Sequence, residues 1–393
     1  MKKYHSKLFQ NNVLRKSWVE VDLDAVSHNV SMIRAYLGKT VYLAVVKADA
    51  YGLGVLPIAK TILENGADKL GLVTLEECIE LRRAGITAPL LNMGPVWQDQ
   101  ADIVLEYDIE QVAYQLPVIE AISKAAKKAG KTAKIHLKVD TGMSRYGVHF
   151  SKAGAAIAKA AVLPNIEILG VMTHFPMSDE LDKSFALLQI ERFKALRRQV
   201  ENMDIHIPLW HTANSGAVLD LPQAHFDMVR VGLMNFGYFP SKQVKRPFEL
   251  KPAMSVKSKI VEIREIHRGD TVGYGRRFMA EKDEQIGVLP LGYADGYDRK
   301  IRSGGQVLIH GEKVPIVSGL CMDAFFVRLT DFPNVRIGDT ATLMGIDGGE
   351  EISPHDIAGI IGSVSYEVIS RFGKRLPRVY LKKGRIVEIH NYR

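Results

Sequence analysis

The alternation of two kinds of segment constrains the fold of this chain more than any other feature. Between Trp18 and Gly237, short apolar runs alternate with longer stretches whose apolar residues recur at intervals of three and four. The runs are typical of buried strands and the longer stretches of amphipathic helices. This alternation predicts a parallel sheet, because each helix carries the chain back by a right-handed crossover. The runs include TVYLAVV, KLGLVTL, KIHLKVD, IEILGVMTHF, IPLWHT and FDMVRVGL, and the helical stretches include PVIEAISKAAKKAG and DKSFALLQIERFKALRRQVENM.

A closed barrel and an open doubly wound sheet both satisfy this alternation. An open sheet that binds a nucleotide would carry GxGxxG after its first strand or a GxxxxGK[ST] loop, and neither motif occurs. The alternating segment, about 220 residues long, is close to the roughly 250 residues of a typical (β/α)8 barrel. We therefore predict an N-terminal (β/α)8 TIM-type barrel.

The rhythm changes after Lys251 to short strands separated by turn residues, which predicts a C-terminal, mostly antiparallel β domain. Prolines and charges interrupt both rhythms in YFPSKQVKRPFELKP, so we place the boundary there. The predicted domains are a barrel of residues 1–250, with a short N-terminal extension, and a β domain of residues 251–393.

The composition excludes several classes of protein. The chain has 393 residues and a formal charge of +8 that is spread along its length, so we expect no nucleic-acid partner. No run reaches the roughly 20 apolar residues of a membrane helix. The segment before Trp18 also lacks the apolar core of a signal peptide, so we expect a cytoplasmic protein without a membrane partner. Cys78 and Cys321 are too few for a disulfide framework and lack metal-ligand spacing.

Functional side chains occur where several of the apolar runs stop. Enzymes with barrel folds build their sites at the C-terminal ends of the strands. One such residue alone is more often structural or solvated than catalytic, but residues at the ends of separate strands would meet at one barrel mouth. The residues at these ends are Lys47, His174, Asn214, Ser215, Arg230 and Gly232.

The run KIHLKVDTGMSRYG predicts a buried cation. Successive strand residues point to opposite faces, so the polar and the apolar residues of this run lie on different sides of the strand. If the apolar residues pack on the outer helices, Lys138 points into the barrel with Arg145 nearby. Two cations in that interior require an anion between them. The apolar face holds Ile135, Leu137 and Val139, and the polar face holds His136, Lys138 and Asp140.

Seven motifs in order make the sequence resemble the alanine racemase family, which are racemases that depend on pyridoxal phosphate (PLP) and have a barrel followed by a β domain. The resemblance covers almost the whole chain, from WVEVDLDAVSHNV to RLPRVYLKKGRIVEI. It implies that residues 1–250 form the PLP-binding domain. The motifs are VVKADAYGLG, KVDTGMSRYGV, THF, HTANSG, MVRVGL, LGYADGYDR and SGLCMD.

The resemblance implies a role for most of the strand-end residues. Lys47 matches the lysine that carries the cofactor covalently, and a buried amine with a lowered pKa can act as nucleophile and then as base. Phosphate contacts are implied for Tyr51, Ser215, the backbone amide of Gly232 and Tyr380. The other implied cofactor-binding residues are His174, Asn214, Arg230 and Leu233.

Arg230 matches the partner of the cofactor's pyridine nitrogen. An arginine does not give up a proton to that nitrogen, because its own pKa is above roughly 12. The ring is then a weaker electron sink, which favours racemisation over transamination. Arg145 would bind the substrate carboxylate or the phenolic side of the cofactor. Lys138 matches a lysine that is carbamylated in the family, which would supply the missing anion.

Racemisation requires proton exchange on both faces of the substrate α-carbon, so it requires two bases. By resemblance the second base is Tyr293, opposite Lys47, and the backbone of Met322 contacts the substrate. In the family both residues reach the site from the other subunit. The resemblance therefore implies a homodimer that shares its active sites and acts on a small-molecule amino acid.

Four positions depart from the common family pattern and leave the substrate open. Interconversion of L- and D-alanine is the first hypothesis, and D-alanine would imply biosynthesis of the bacterial cell wall. Serine, lysine or another basic amino acid is an alternative substrate. A PLP-dependent decarboxylase and a non-catalytic PLP carrier are further alternatives, although Arg230 disfavours the first and the C-terminal β domain disfavours the second. The departing residues are Asp49, Leu53, Asn235 and Ala324.

Overall fold

The computed structural model describes residues 13–391, which pack into two compact units. The barrel unit comprises Val26–Ala50 and Val55–Lys251. The β unit comprises the described residues up to Ala25, the short segment Tyr51–Gly54 and the chain from Pro252 onward. The predicted domain boundary between residues 250 and 251 stays a prediction, and these units differ from it in where the N-terminal segment packs.

The secondary-structure elements follow the chain in an order that changes character after residue 253. The strands are β1 (Ser17–Asp22), β2 (Val41–Val45), β3 (Lys69–Leu72), β4 (Leu90–Asn92), β5 (Ile109–Ala113), β6 (Ala133–Asp140), β7 (Val148–His149), β8 (Ile166–Met172), β9 (Leu209–His211), β10 (Met228–Val231), β11 (Met254–Lys259), β12 (Glu262–Ile266), β13 (Thr271–Val272), β14 (Phe278–Met279), β15 (Glu284–Leu289), β16 (Gln306–Ile309), β17 (Glu312–Val317), β18 (Phe325–Arg328), β19 (Thr340–Asp347), β20 (Glu350–Ile352), β21 (Arg378–Lys382) and β22 (Arg385–His390). The helices are α1 (Leu23–Leu37), α2 (Val55–Glu64), α3 (Leu75–Arg83), α4 (Ala101–Glu106), α5 (Leu116–Ala129), α6 (Phe150–Ala161), α7 (Ser184–Glu201), α8 (Ser215–Asp220), α9 (Pro354–Ile361) and α10 (Ser365–Arg371).

Among residues 13–391, no helix is long and apolar enough to cross a membrane. The cytoplasmic location expected from the sequence stays a prediction.

The barrel unit is a parallel sheet of eight strands that nearly closes on itself. The strand order is β10-β2-β3-β4-β5-β6-β8-β9, and the short strand β7 adds to β6. Two backbone hydrogen bonds join the last strand to the first, from Asp227 N to Trp210 O (3.0 Å) and from Arg230 N to Ala213 O (2.9 Å). The predicted barrel architecture is confirmed, and each predicted run contains one of these strands.

Local sequence explains where the barrel helices begin and end. Helix α3 begins with a capping box, in which Glu77 N donates to Thr74 Oγ1 at 3.3 Å and the Glu77 carboxylate accepts from Thr74 N. Helix α5 ends at Gly130, which takes the left-handed conformation with φ of 63°. Strands β4 and β5 are not among the predicted runs.

The β unit is built around a mostly antiparallel sheet that includes the first strand of the chain. Its strand order is β12-β15-β18-β17-β16-β19-β11-β1-β21-β22, with β20 added to β19. Strand β1 pairs antiparallel with β11 and parallel with β21. The predicted antiparallel character is confirmed. The sequence pattern, however, predicts that the β/α alternation starts at Trp18, whereas this residue lies in the β unit.

Candidate active site

Strand β2 is followed by one turn of left-handed helix that starts directly after Lys47. Ala48, Asp49, Ala50 and Tyr51 all have positive φ, between 52° and 57°. A left-handed conformation costs roughly 1–2 kcal/mol for each residue with a Cβ atom. Hydrogen bonds hold the turn, because Val55 N donates to the Asp49 carboxylate at 2.7 Å and Ala48 N donates to a carboxylate of helix α3 at 2.6 Å. The sequence analysis missed this strained segment.

Four cationic side chains gather at the C-terminal ends of the barrel strands. Lys47 follows β2, Lys138 lies on β6, Arg145 lies in the loop after β6, and Arg230 lies on β10. Burial is the largest cause that lowers the pKa of Lys47, and repulsion from Arg145 lowers it further. Burial and repulsion from Arg230 and Arg145 lower the pKa of Lys138 to about 7. Each of these charges therefore acts on its neighbours within one site.

These four cations form no salt bridge with any residue that the structure describes. Arg230 is buried, with 3% of its surface exposed, and burial followed by repulsion from Arg145 lowers its pKa to about 9. Unpaired cations in such an environment are costly unless an anion joins them. The arrangement is therefore suited to a ligand with more than one negative group.

The guanidinium of Arg230 is fixed by five hydrogen bonds. Its NH1 donates to Nδ1 and to the carbonyl of His211, at 3.0 and 3.1 Å. Its NH2 donates to the carbonyls of Thr173 (2.7 Å) and Thr212 (3.0 Å) and to Nδ1 of His174 (3.2 Å). Its Nε–H has no hydrogen-bond partner among residues 13–391. One N–H of a fully anchored guanidinium is thus left for a ligand.

His174 lies beside Arg230 as a neutral ring. Burial, followed by repulsion from Arg230 and Lys138, lowers its pKa well below the usual range of histidine. Its Nδ1 accepts from Arg230, so the proton of the neutral ring is on Nε2. The ring is therefore held in one tautomer and one orientation.

Ser215 and Gly232 come together from two neighbouring strand ends. Gly232 N donates to Ser215 Oγ at 3.1 Å. Asn214 precedes helix α8, and its side-chain oxygen accepts from Ala217 N at 3.1 Å, so Ser215 begins a helix. Leu233 follows Gly232 at the start of the 3-10 helix Leu233–Phe236. A hydroxyl and a backbone amide at this spacing are the donors that phosphate groups use.

In the β unit, the segment Tyr51–Gly54 packs against Tyr380. The Tyr380 hydroxyl donates to the carbonyl of Leu53 at 2.9 Å. A Cβ atom on Gly54 would lie 1.8 Å from that hydroxyl, so only glycine fits here. Tyr51 is also buried, with 8% of its surface exposed. The contact fixes the loop that follows Lys47.

Tyr293 and Met322 lie on two loops of the β unit that are bound to each other. Tyr293 N donates to the carbonyl of Cys321 at 3.2 Å, and the next residue donates to the carbonyl of Met322 at 3.1 Å. A Cβ atom on Gly292 would lie 2.3 Å from that second carbonyl, so glycine is required for this approach. The side chains of Tyr293 and Met322 are exposed. The two predicted residues therefore form one surface element.

The sequence missed the buried polar residues behind the site. Buried Glu110 and His211, together with half-buried Lys69, form a hydrogen-bonded chain with His136 and Arg230. They lie within or at the ends of barrel strands. A single polar residue in an otherwise apolar run is the sequence signal that could have revealed each of them. His136 alone was noted, as a residue on the same face as Lys138.

Two family models match the chain in succession. The model described as "Alanine racemase, N-terminal domain" matches residues 21–240, and "Alanine racemase, C-terminal domain" matches residues 253–380. The chain belongs to the alanine racemase family. It is an amino-acid racemase, and the predicted enzyme class is confirmed.

Relatives from the alanine racemase family align over nearly their whole length. An alanine racemase of Clostridium perfringens is 39% identical over 381 residues, which are 96% of this chain and 99% of that protein. A solved alanine racemase from Clostridium difficile 630 has a TM-score of 0.93 and 33% identity, over 97% of this chain and 100% of that one. A solved histidine racemase from Leuconostoc mesenteroides subsp. sake NBRC 102480 has a TM-score of 0.86 and 29% identity, over 95% and 100%.

The four departures from the alanine racemase pattern all contribute to loop structure. The Asp49 carboxylate holds the left-handed turn, and buried Asn235 accepts from the Tyr42 hydroxyl and donates to the Val231 carbonyl at 3.0 Å. Leu53 and Ala324 accept through their carbonyls, from Tyr380 at 2.9 Å and from Cys321 N at 2.9 Å. Two of the departures therefore act through side chains and two through the backbone.

Proposed function

We propose that this protein interconverts L-alanine and D-alanine with PLP as cofactor and with Lys47 and Tyr293 as its two bases. The observation that carries the proposal is the group of four unpaired cations, one of which is the strand-end lysine Lys47 with its lowered pKa. A cofactor with a phosphate and a phenolic oxygen, together with a substrate carboxylate, supplies the anions that this group requires.

The donor set of the barrel unit fits PLP. The phosphate would be held by the Ser215 hydroxyl and the Gly232 amide, and Asn214 and Leu233 flank these donors. The free Nε–H of Arg230 would face the ring nitrogen. For Tyr51 and Tyr380, which belong to the β unit, the phosphate contact rests on the family resemblance. His174, whose pKa is lowered by burial and then by the charge of Arg230, would pack against the cofactor as a neutral ring.

Lys47 has the properties of a base that also binds the cofactor. Because burial and Arg145 lower its pKa, a larger fraction of its amine is neutral near pH 7 than in a solvated lysine. PLP, when bound, supplies the electron-withdrawing ring that makes the substrate α-hydrogen removable. Lys47 Nζ would take or return this proton on one face of the α-carbon. Arg230 would limit the electron demand of the ring, because it would donate a hydrogen bond to the ring nitrogen and keep its own proton.

Tyr293 would move the proton on the opposite face, from the partner subunit of a homodimer. A tyrosine acts as a base only where cationic neighbours stabilise the phenolate. The guanidinium carbon of Arg299 lies 5.7 Å from the centre of the Tyr293 ring. Met322, which shares the surface element of Tyr293, would contact the substrate through its backbone.

Lys138 is the proposed site of a carbamate. Only a neutral amine reacts with CO2, and the pKa of Lys138 is lowered to about 7 by burial and by the charges of Arg230 and Arg145. The carbamate is an anion and would turn repulsion from Arg145 into attraction. Arg145, which is exposed in the loop after β6, would then be oriented toward the substrate carboxylate.

The relatives' names support alanine as the substrate and also give one specific alternative. The sequence relatives are alanine racemases, whereas one solved structure of similar fold is a histidine racemase. Serine and lysine stay open because two of the departing residues, Asp49 and Asn235, lie in loops close in sequence to Lys47 and Gly232. A substrate comparison distinguishes these possibilities.

The test is α-hydrogen exchange in D2O with L-alanine, L-serine, L-lysine and L-histidine, each incubated with the PLP-loaded enzyme. We expect D-alanine with α-deuterium to form fastest, as measured by chiral chromatography and NMR. Lys47→Ala should abolish this exchange, while Lys60→Ala, an exposed lysine of helix α2, should keep the full rate. A faster rate with another amino acid would reassign the substrate, and bound cofactor without exchange on any of them would contradict the proposal.

A further inference from the structure

A line of hydrogen bonds crosses the interior of the barrel from Arg230 to Lys69. Arg230 NH1 lies 3.0 Å from His211 Nδ1, and His211 Nε2 lies 3.0 Å from His136 Nδ1. His136 Nε2 lies 3.2 Å from Glu110 Oε2, and Lys69 Nζ lies 2.6 Å from Glu110 Oε1. The five side chains come from strands β10, β9, β6, β5 and β3. Four of them are less than 6% exposed, so this line, here called the imidazole relay, is shielded from water.

The two ends of the imidazole relay determine where its protons lie. A guanidinium only donates, so His211 Nδ1 must accept from Arg230 and its ring proton lies on Nε2. This proton is donated to His136 Nδ1, which leaves the ring proton of His136 on Nε2 as well. That proton is donated to the Glu110 carboxylate, which only accepts when ionised. One arrangement therefore satisfies every bond, and all its donors point toward Glu110.

The charges of the imidazole relay agree with this arrangement. Burial lowers the pKa of both histidines and outweighs the attraction of Glu110 on His136, so both rings are neutral near pH 7. Burial alone would raise the pKa of Glu110, but His136 and Lys69 outweigh it and the net shift is downward. Glu110 is thus an ionised carboxylate at the end of two neutral rings.

We propose that Glu110 and His136 are positioning residues, which act through the tautomer of His211 to hold the guanidinium of Arg230 with its Nε–H toward the cofactor. The direction of the hydrogen bonds is a property of this chain alone. Its effect on the cofactor rests on the proposed function. Neither Glu110 nor His136 is proposed to touch the substrate or the cofactor.

Glu110→Gln keeps the shape of the side chain but no longer fixes the direction of the hydrogen bonds in the imidazole relay. A glutamine can accept from His136 or donate to it, so the opposite order of protons becomes accessible. In the opposite order His211 carries its proton on Nδ1, opposite an N–H of Arg230. Two donors then face each other at 3.0 Å, and the guanidinium must shift or lose this bond.

The first experiment reads the histidine tautomers directly, by 15N NMR of the imidazole nitrogens in the PLP-loaded enzyme at pH 7.5. In the natural protein we expect His136 and His211 to be neutral with their protons on Nε2. Glu110→Gln should give a mixture of tautomers at His211, although Glu110 and His211 form no hydrogen bond with each other. A proton on His211 Nδ1 in the natural protein, or an unchanged His211 in folded Glu110→Gln, would overturn the proposal.

Gln111→Met provides a matched control for loss of a buried polar side chain. Gln111 is the next residue on β5, is fully buried and forms hydrogen bonds with Asn92, Gly94 and Val112. Among residues 13–391, its side chain forms no hydrogen bond with a side chain of the imidazole relay. Gln111→Met should therefore lower stability as Glu110→Gln does, without changing either histidine tautomer. A similar tautomer change in both variants would mean that general loosening of the barrel is the cause.

The second experiment connects the imidazole relay to the cofactor. With PLP labelled with 15N at the ring nitrogen, Glu110→Gln should shift the nitrogen resonance, and Gln111→Met should leave it in place. We expect kcat for alanine to fall about tenfold with KM within a factor of two, as for residues that orient a ligand-binding group. A changed His211 tautomer with an unchanged ring nitrogen and kcat would overturn the positioning role. Absence of racemisation in the natural protein would instead overturn the proposed function.

Discussion

At the scale of single residues, Lys138 shows how its surroundings set the charge of a side chain. The pKa of this lysine is lowered to about 7, because it is buried and because Arg230 and Arg145 repel a second positive charge. In the unfolded chain the same amine titrates near 10.5. Between these two values the unfolded chain binds a proton that the folded protein does not, so folding becomes more favourable as the pH rises.

Lys138→Met should therefore change how stability depends on pH. In cofactor-free protein without CO2, we expect the unfolding free energy of the natural protein to increase relative to Lys138→Met from pH 7 to pH 10. The slope should approach about 1.4 kcal/mol per pH unit. Urea unfolding at several pH values measures it. The control is Lys134→Met, which replaces an exposed lysine on the same strand, and the difference in unfolding free energy between this variant and the natural protein should not change with pH. Parallel curves for the natural protein and Lys138→Met would refute the assignment.

At the scale of elements, the left-handed turn after β2 places a conformational cost beside the proposed catalytic lysine. Four consecutive residues with Cβ atoms adopt positive φ, which isolated residues avoid. The Asp49 carboxylate and the contact of Gly54 with Tyr380 stabilise the loop within their respective units. The turn is thus held by tertiary contacts and not by local preference.

Substitutions of Ala48 should reveal this conformation. Ala48 is exposed and has φ of 54°. We expect Ala48→Val to lower the unfolding free energy by about 1–2 kcal/mol and Ala48→Gly to be neutral or stabilising, because valine disfavours left-handed φ and glycine does not. Ala155 is exposed in helix α6, and there glycine should instead be more destabilising than valine, lowering the unfolding free energy by about 1 kcal/mol relative to alanine. The same ranking at both positions would contradict a left-handed turn.

Local patterns in the sequence predicted the elements whose causes are local. The run TVYLAVV predicted β2, and the lysine directly after it, Lys47, was predicted to lie at the barrel mouth. The left-handed turn escaped prediction, because alanine by itself favours right-handed conformations. The position of β1 in the sheet of the β unit was not predicted either, because its partners β11 and β21 are distant in sequence. Likewise the imidazole relay depends on residues from five strands, and no single strand reveals it.

At the scale of the whole molecule, the proposed mechanism distributes its two bases between two copies of the chain. Lys47 belongs to the barrel unit, whereas Tyr293 is exposed on the β unit together with Met322. Both side chains are exposed, and backbone hydrogen bonds join their two loops to each other, so the pair is suited to contact a partner subunit. If each site takes one base from each subunit, inactive variants should complement each other.

Mixing Lys47→Ala with Tyr293→Phe should restore activity. Random exchange of subunits gives half mixed dimers, and each of these has one site with both bases, so we expect about one quarter of the natural activity. The two variants are incubated together under conditions that allow subunits to exchange, and the racemisation rate of the mixture then gives the restored fraction of activity. Each variant treated alone is the control. Recovery that stays at the level of the separate variants would place both bases in one subunit.

The central position of β1 makes residues 251–393 an incomplete folding unit. Strand β1 lies between β11 and β21, with Trp18, Val19 and Val21 fully buried. We expect residues 251–393 alone to lack cooperative thermal unfolding by circular dichroism, because two parts of the sheet lose the strand between them. A fusion of residues 13–25 to this fragment should restore it. Cooperative unfolding of the fragment alone would show that β1 is dispensable.

The pairing of β1 with β21 has a consequence for how the protein is made. Asp22 is paired with Leu381, so β1 cannot complete its pairing until β21, the next-to-last described strand, has left the ribosome. At about 5–20 residues per second, synthesis of the intervening chain takes on the order of 20–70 s. During that time the apolar faces of the nascent first strand are without their final partners. Efficient production in the cell should therefore depend on chaperones that bind early in translation and release the chain only at its end.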